Sequence, residues 1–169
     1  MLFADEMFLF LFLPLCLAFY FIMPKVQMKN NVLILFSLIF CVWGNPLSLP
    51  VTVSAAILNF AAGLLLQRFR NSRAAVPIFV ISLILNLAML AVFGYSTDIT
   101  AVMNSFGVDI SVPEIRSTIG ISFFTLRNIS YCADCKSGEV SAQRSFRKYL
   151  LYVLLFPLLA AGPIVAYRE

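Results

Sequence analysis

Residues 74–93 run for twenty positions without one charged side chain. At about 1.5 Å per residue that run matches a hydrocarbon core of roughly 30 Å. A segment of this kind folds as a membrane-spanning helix, because in lipid each backbone N–H and C=O must be satisfied within the segment itself. The rest of the chain has the same character. Its 169 residues are 62% hydrophobic and 12% charged, with a mean hydropathy of +0.95, which leaves too little polar surface for a water-soluble domain. The formal charge of +4 is spread as short basic clusters between apolar runs, where it sets topology instead of making a nucleic-acid surface. The expected fold is therefore all-α, a multi-pass transmembrane bundle of five to six membrane segments plus a short interfacial helix. It forms a single membrane domain over residues 1–169, sits in the cell (inner or plasma) membrane, and has the lipid bilayer as its first partner.

In chain order, the apolar run 7–23 follows Asp5 and Glu6 and no basic residue, and no small-residue cleavage site precedes Pro24 and Lys25. It reads as a retained first span, kinked at Pro14. The run 31–43 is short for a span and ends at Trp43, an interfacial residue, before a Gly44-Asn45-Pro46 turn. In the third span, 47–66, the residues Ser48, Thr52, Ala55, Ala56, Asn59, Ala62 and Gly63 share a face. Small residues at that spacing let helices approach closely, and Asn59 can hydrogen-bond across the contact. A substrate-lining face is the alternative. Within 74–93, Ser82 and Asn86 lie one turn apart, as interhelical hydrogen-bonding groups or as the midplane polar position of a transporter. Ile99, Val102, Met103 and Phe106 then recur at helical spacing up to Gly107, which predicts a short surface helix. A final apolar run, 149–166, follows Arg144, Arg147 and Lys148 and is broken by Pro157, Gly162 and Pro163.

Lys and Arg alternate between connections, with none, two, none, three, one, four and one in order from the N-terminus to the C-terminus. With the basic loops inside, the chain makes six passes and both termini face out, provided that 119–133 crosses; if that stretch only re-enters, the C-terminus lies inside.

That stretch organises the remainder. Residues 120–131, GISFFTLRNISY, begin apolar and turn polar. On a helix Arg127, Ser130, Tyr131 and Asp134 fall on one face, with Ile121, Leu126, Ile129 and Ala133 largely opposite. A lone arginine in hydrocarbon is penalised by roughly 2.5 kcal/mol or more, so Arg127 belongs in a protein interior with Asp134 as its partner, unless the whole face lies in interfacial water.

The residues that carry chemistry are few. The chain contains no histidine, which removes the commonest general base and a major metal ligand. Cys16 and Cys41 sit in spans. Cys132 and Cys135 form a C-x-x-C without the further ligands that zinc needs, so they read as small apolar residues before a redox pair. No phosphate loop, catalytic triad or metal motif is present. No catalytic or metal-binding residue is therefore assigned.

Five pieces in order nevertheless resemble one family. The opening MLF with FLFLFLPL, VWGNP at 42–46, Asn59-Phe60, GISFFTLRNISY followed by Asp134 and Gly138, and FPLLAAGPIV at 156–165 together resemble the N-terminal part of a membrane-bound O-acyltransferase. The branch is the bacterial one of alginate O-acetylation and lipoteichoic acid D-alanylation. Departures fall on polar members of the motifs. Arg127 stands where the family usually has Gln, Asn128 where Ser is common, Lys136-Ser137 for Tyr-Arg, Leu158 for Gln, Ala166 for Arg, and Gly94-Tyr95 where Phe-Lys-Tyr is usual. The resemblance implies transfer of an acetyl or other acyl group to a hydroxyl of an extracellular polysaccharide, through a membrane tunnel whose wall includes Arg127, Asn128, Ser130, Tyr131 and Asp134. The family's catalytic histidine lies in a later half, so this chain is expected to be a portion without catalysis of its own. It would hold no cofactor, although an acyl donor is implied, and its partners would be the C-terminal half or an extracytoplasmic acetylation protein. The alternatives are a non-enzymatic membrane scaffold and a small transporter subunit using Asn59, Asn86 and Arg127.

Overall fold

The computed structural model describes residues 6–44, 46, 48–105 and 120–155, and the described residues form helices without a strand. The opening run is helical but not uniform. A π-helical turn, Phe8–Phe12, leads into α1, Leu13–Ile22, and the Leu13 N–H reaches back to the Phe8 carbonyl. Pro14 at the start of α1 explains the widened turn, since its ring crowds the carbonyl four residues earlier and it offers no N–H. The kink expected at Pro14 is thus taken up by one π turn. α2, Val26–Gly44, starts five residues before the apolar run that announced it. The added turn carries Lys29, whose ammonium sits 5.1 Å from the centre of the Tyr20 ring, so a polar first turn rides at the membrane edge on a long side chain.

α3 is Ser48–Arg68 and α4 is Ala75–Gly94. Together with α2 they are long and apolar enough to cross a membrane, whereas the Phe8–Ile22 helix is shorter. α5, Ser96–Ser105, follows as the expected short helix; Phe106 and Gly107 lie outside the described residues. α6 is Ile121–Ser137, and α7 is Phe146–Leu154. Most of the predicted last run, including Pro157 and the FPLLAAGPIV element, lies outside the described residues.

Three registers define how the bundle is wired. Gly63 of α3 meets the Tyr131 ring of α6, and Gly138 just past α6 meets Arg70 just past α3. Seven residues separate the contacts on each helix, so α6 runs parallel to α3 and nearly in step. α4 runs the other way. Ile121 lies against Gly94 at one end, Cys132 against Ser82 in the middle at 3.4 Å, and the Lys136 ammonium over the Phe79 ring at 4.7 Å at the other end. α6 therefore accompanies two candidate spans from end to end. α7 returns antiparallel, with the Phe60 ring 5.4 Å from Phe146 and 5.7 Å from Tyr149.

Among the described residues, this wiring gathers the basic loop residues at one end. Arg70 lies beside Gly138, the Ala142 N–H donates to Gln67 Oε1 at 3.1 Å, and the start of α2 lies beside Arg147 and Lys148. Two apolar clusters hold the rest. Phe8, Phe12, Cys16, Phe36 and Phe40 join the first helix to α2, and a larger core centred on α3, α6 and α7 contains Leu66, Phe124, Tyr131, Tyr149 and Leu154. α4 contributes little buried area of its own. Ile81, Ile84, Leu85 and Leu87 stay exposed, which is the lipid-facing side of a membrane helix.

Candidate functional site

The site is built on α6, and glycine sets both of its ends. Gly120 precedes the helix at φ 74°, and Gly138 closes it at φ 80° with its N–H on the Asp134 carbonyl at 3.0 Å. A left-handed closing residue of this kind satisfies carbonyls that the helix leaves open. At Gly138 the Arg70 guanidinium also lies where a Cβ would stand, so both backbone angle and space exclude a side chain there.

The predicted polar face is brought inside, but only in part. Arg127 is 1% exposed, and Asn128 and Tyr131 are 0% exposed. Ser130 and Asp134 are half-buried on the shoulder. The buried face also takes in Ile121, Thr125, Cys132 and Cys135, so the boundary between faces is rotated from the expected one, and Ile121 belongs to the polar side's interior. An interfacial helix with its polar face in water does not fit this burial.

The contacts described for Arg127 reach the backbone of α7. Its Nη1 donates to the main-chain carbonyls of Val153 at 3.2 Å and Tyr152 at 3.4 Å. Asp134 lies seven residues further on, about 10 Å along the helix axis. The acceptors belong to the last turn of α7, where carbonyls lose their intrahelical donors. α7 ends at Leu154, and Leu155 has already left helical geometry, so the Val153 carbonyl has no helical donor. The guanidinium is the replacement donor.

The neighbouring contacts extend the seam between α6 and α7. The Tyr149 hydroxyl donates to Asn128 Oδ1 at 2.8 Å, while Asn128 Nδ2 is buried with no acceptor among the described residues. The Tyr131 and Tyr149 rings stand 4.6 Å apart, and the Gln143 N–H donates to the Tyr131 hydroxyl at 3.0 Å. Tyr149 and Gln143 were not anticipated, and neither lies in a helical pattern with α6 that could have marked it.

A second polar group ties α6 to α3 and α4. Asn59 and Asn86 exchange amide hydrogen bonds of 3.0 and 2.7 Å, and their remaining N–H groups donate to the carbonyls of Ala55 and Ser82 at 2.8 Å. The Ser82 hydroxyl lies 3.2 Å from Asn59 Oδ1 and 3.4 Å from Cys132 Sγ. All four amide hydrogens are thereby occupied inside the bundle, as the helix-packing reading of these residues requires. Cys132 and Cys135 are buried free thiols. Among the described residues, no group of three or more Cys, Asp and Glu could hold a metal ion.

Comparison with known proteins addresses the whole chain. No family model matches it, and no solved structure matches it. All of its residues align with the probable alginate O-acetylase AlgI of Azotobacter vinelandii, 31% identical over 175 residues, and with the protein of the same name in Pseudomonas aeruginosa, 29% identical. The chain is a relative of the alginate O-acetylases. The resemblance carried by its motifs, to the N-terminal part of a membrane-bound O-acyltransferase, is borne out by these matches. A peptidoglycan O-acetyltransferase of Helicobacter pylori also aligns with the full chain, at 27% identity over 202 residues. The chain spans about a third of the length of these relatives, 35% of the first, 34% of the second and 38% of the third.

Proposed function

We propose that this alginate O-acetylase relative forms part of a cell-membrane O-acyltransferase that moves an acetyl group onto a hydroxyl of an extracellular polysaccharide. The observation that carries the reading is the alignment of every residue with proteins named for O-acetylation. The chemistry assigns a limited share to this chain. A sugar hydroxyl needs a base to take its proton and donors to stabilise the oxyanion. With no histidine here, the base comes from outside these residues, and the role left to α6 and α7 is to form and hold the wall along which the reactants meet. Arg127, Asn128, Ser130, Tyr131 and Asp134 are the wall residues of this reading, which assigns the acyl oxygen to Asn128 Nδ2, a buried donor with no acceptor among the described residues. The chain crosses six times with its basic end in the cytoplasm.

The test is a chimaera. The corresponding third of an alginate O-acetylase is replaced by this chain in a host lacking its own enzyme, and O-acetyl groups on the secreted polymer are counted. Restoration above the vector background is expected, with Asn128→Leu reducing it about tenfold or more, as loss of an oxyanion donor does. A chimaera that reaches the membrane in normal amount and leaves the polymer bare would sink the proposal.

A further inference from the structure

The basic end of the molecule holds a cleft that the acyl-transfer reading does not use. A cavity of about 270 Å³ opens between the first turns of α2 and α7, close to the roughly 300 Å³ at which small-ligand clefts begin. Gln27, Asn30 and Asn31 form its polar wall on α2, and Arg147 and Lys148 face them from α7. Met28 and Ile34 supply an apolar side. No carboxylate is among the described residues that line it.

Among the described residues that line this cleft, none answers its charge. Arg147 and Lys148 stand in the first turn of α7, which holds no acidic residue, and the residue before the helix, Ser145, makes no side-chain capping bond. Cations there oppose the partial positive charge of the helix start, whose first N–H groups have no intrahelical acceptor. One anion lying between the two helices resolves both conditions, and the three amides add neutral donors that shape it. Three amides and two cations suit an oxygen-rich group with several acceptors, which is a phosphate. The apolar side, together with Phe21, Ile22 and Val26, which are 70–73% exposed at the same end, gives an attached hydrocarbon chain a surface to follow.

We propose that this cleft binds the phosphate of an anionic membrane lipid. The site is independent of acyl transfer and is present whether or not the chain takes part in catalysis. The test places the whole chain in nanodiscs of phosphatidylcholine doped with spin-labelled phosphatidylglycerol, and reads the immobilised lipid fraction by paramagnetic resonance. A preference for the labelled phosphatidylglycerol over labelled phosphatidylcholine is expected, and Arg147→Gln with Lys148→Gln should weaken it roughly tenfold. Asn30→Leu, which changes no charge, should weaken it about threefold, whereas Arg70→Gln with Arg73→Gln, at the same end but outside the cleft, should leave it intact. Trp43 fluorescence reports that each variant is folded, and a variant that loses that signal is replaced by Gln27→Leu. Equal losses in the two double variants, or no loss with Asn30→Leu, would reduce the effect to general attraction and overturn the site. If excess inorganic phosphate abolishes the preference, the lipid is overturned as occupant and a soluble phosphate takes its place; if the preference persists, the lipid stands.

Discussion

At Arg127 a full positive charge is 1% exposed inside an apolar bundle, and its described acceptors are main-chain carbonyls of another helix. Removing it strands a buried acceptor, so Arg127→Leu should cost about 1–3 kcal/mol in reversible detergent unfolding. Arg127→Gln retains a donor that can turn toward Val153 and should cost clearly less, in keeping with the glutamine usual in the family. Interior placement of Arg127 was legible in the sequence, since charge in hydrocarbon is prohibitive. The identity of the acceptors was not, because every residue has a carbonyl and only the return of α7 brings two of them within reach.

Between elements, the tightest contact is Gly63 under the Tyr131 ring. A methyl there has nowhere to go without moving the ring, so Gly63→Ala should destabilise by about 1–3 kcal/mol. Adding Tyr131→Ala should bring the cost of the glycine change close to zero in a double-mutant cycle, whereas additive losses would place the strain elsewhere. Asn59 and Asn86 offer a second cycle. Each change to leucine strands the other amide, and a coupling of roughly 0.6–1.7 kcal/mol is expected. The faces of α3 and α4 were readable from small and amide residues at helical spacing, a pattern that survives because a membrane helix has few other polar positions. The start of α2 was not readable, because hydropathy reports where lipid begins, and a helix continues beyond it into Asn31, Asn30 and Lys29. On α6 the spacing located the polar stripe, but the buried arc is wider than the stripe, since α3, α4 and α7 all pack on this one helix.

Among the described residues the basic loop residues lie at one end and Pro46, Gly94 and Gly120 at the other. Single cysteines introduced at Pro46 and at Ser72 should therefore label differently with a membrane-impermeant maleimide, Pro46→Cys in intact cells and Ser72→Cys only after permeabilisation. The four native cysteines are buried, each at 1–2% exposure, and provide a silent background. Labelling of both positions from the same side would contradict the topology. The running of α3 and α6 in the same direction was legible from the alternation of basic loops. That they pack side by side was not, because nothing in the sequence pairs one helix with the other.

The seventeen residues of α6 rise only about 25 Å, while an average hydrocarbon core measures roughly 30 Å. A crossing helix shorter than α3 and α4 should draw the two leaflets toward each other where it stands. The insulating layer is then shallowest beside the polar seam of α6 and α7. Anything passed from one aqueous side to the other would have its shortest journey there, and a bilayer enriched in longer lipid tails should slow that passage without touching a single side chain.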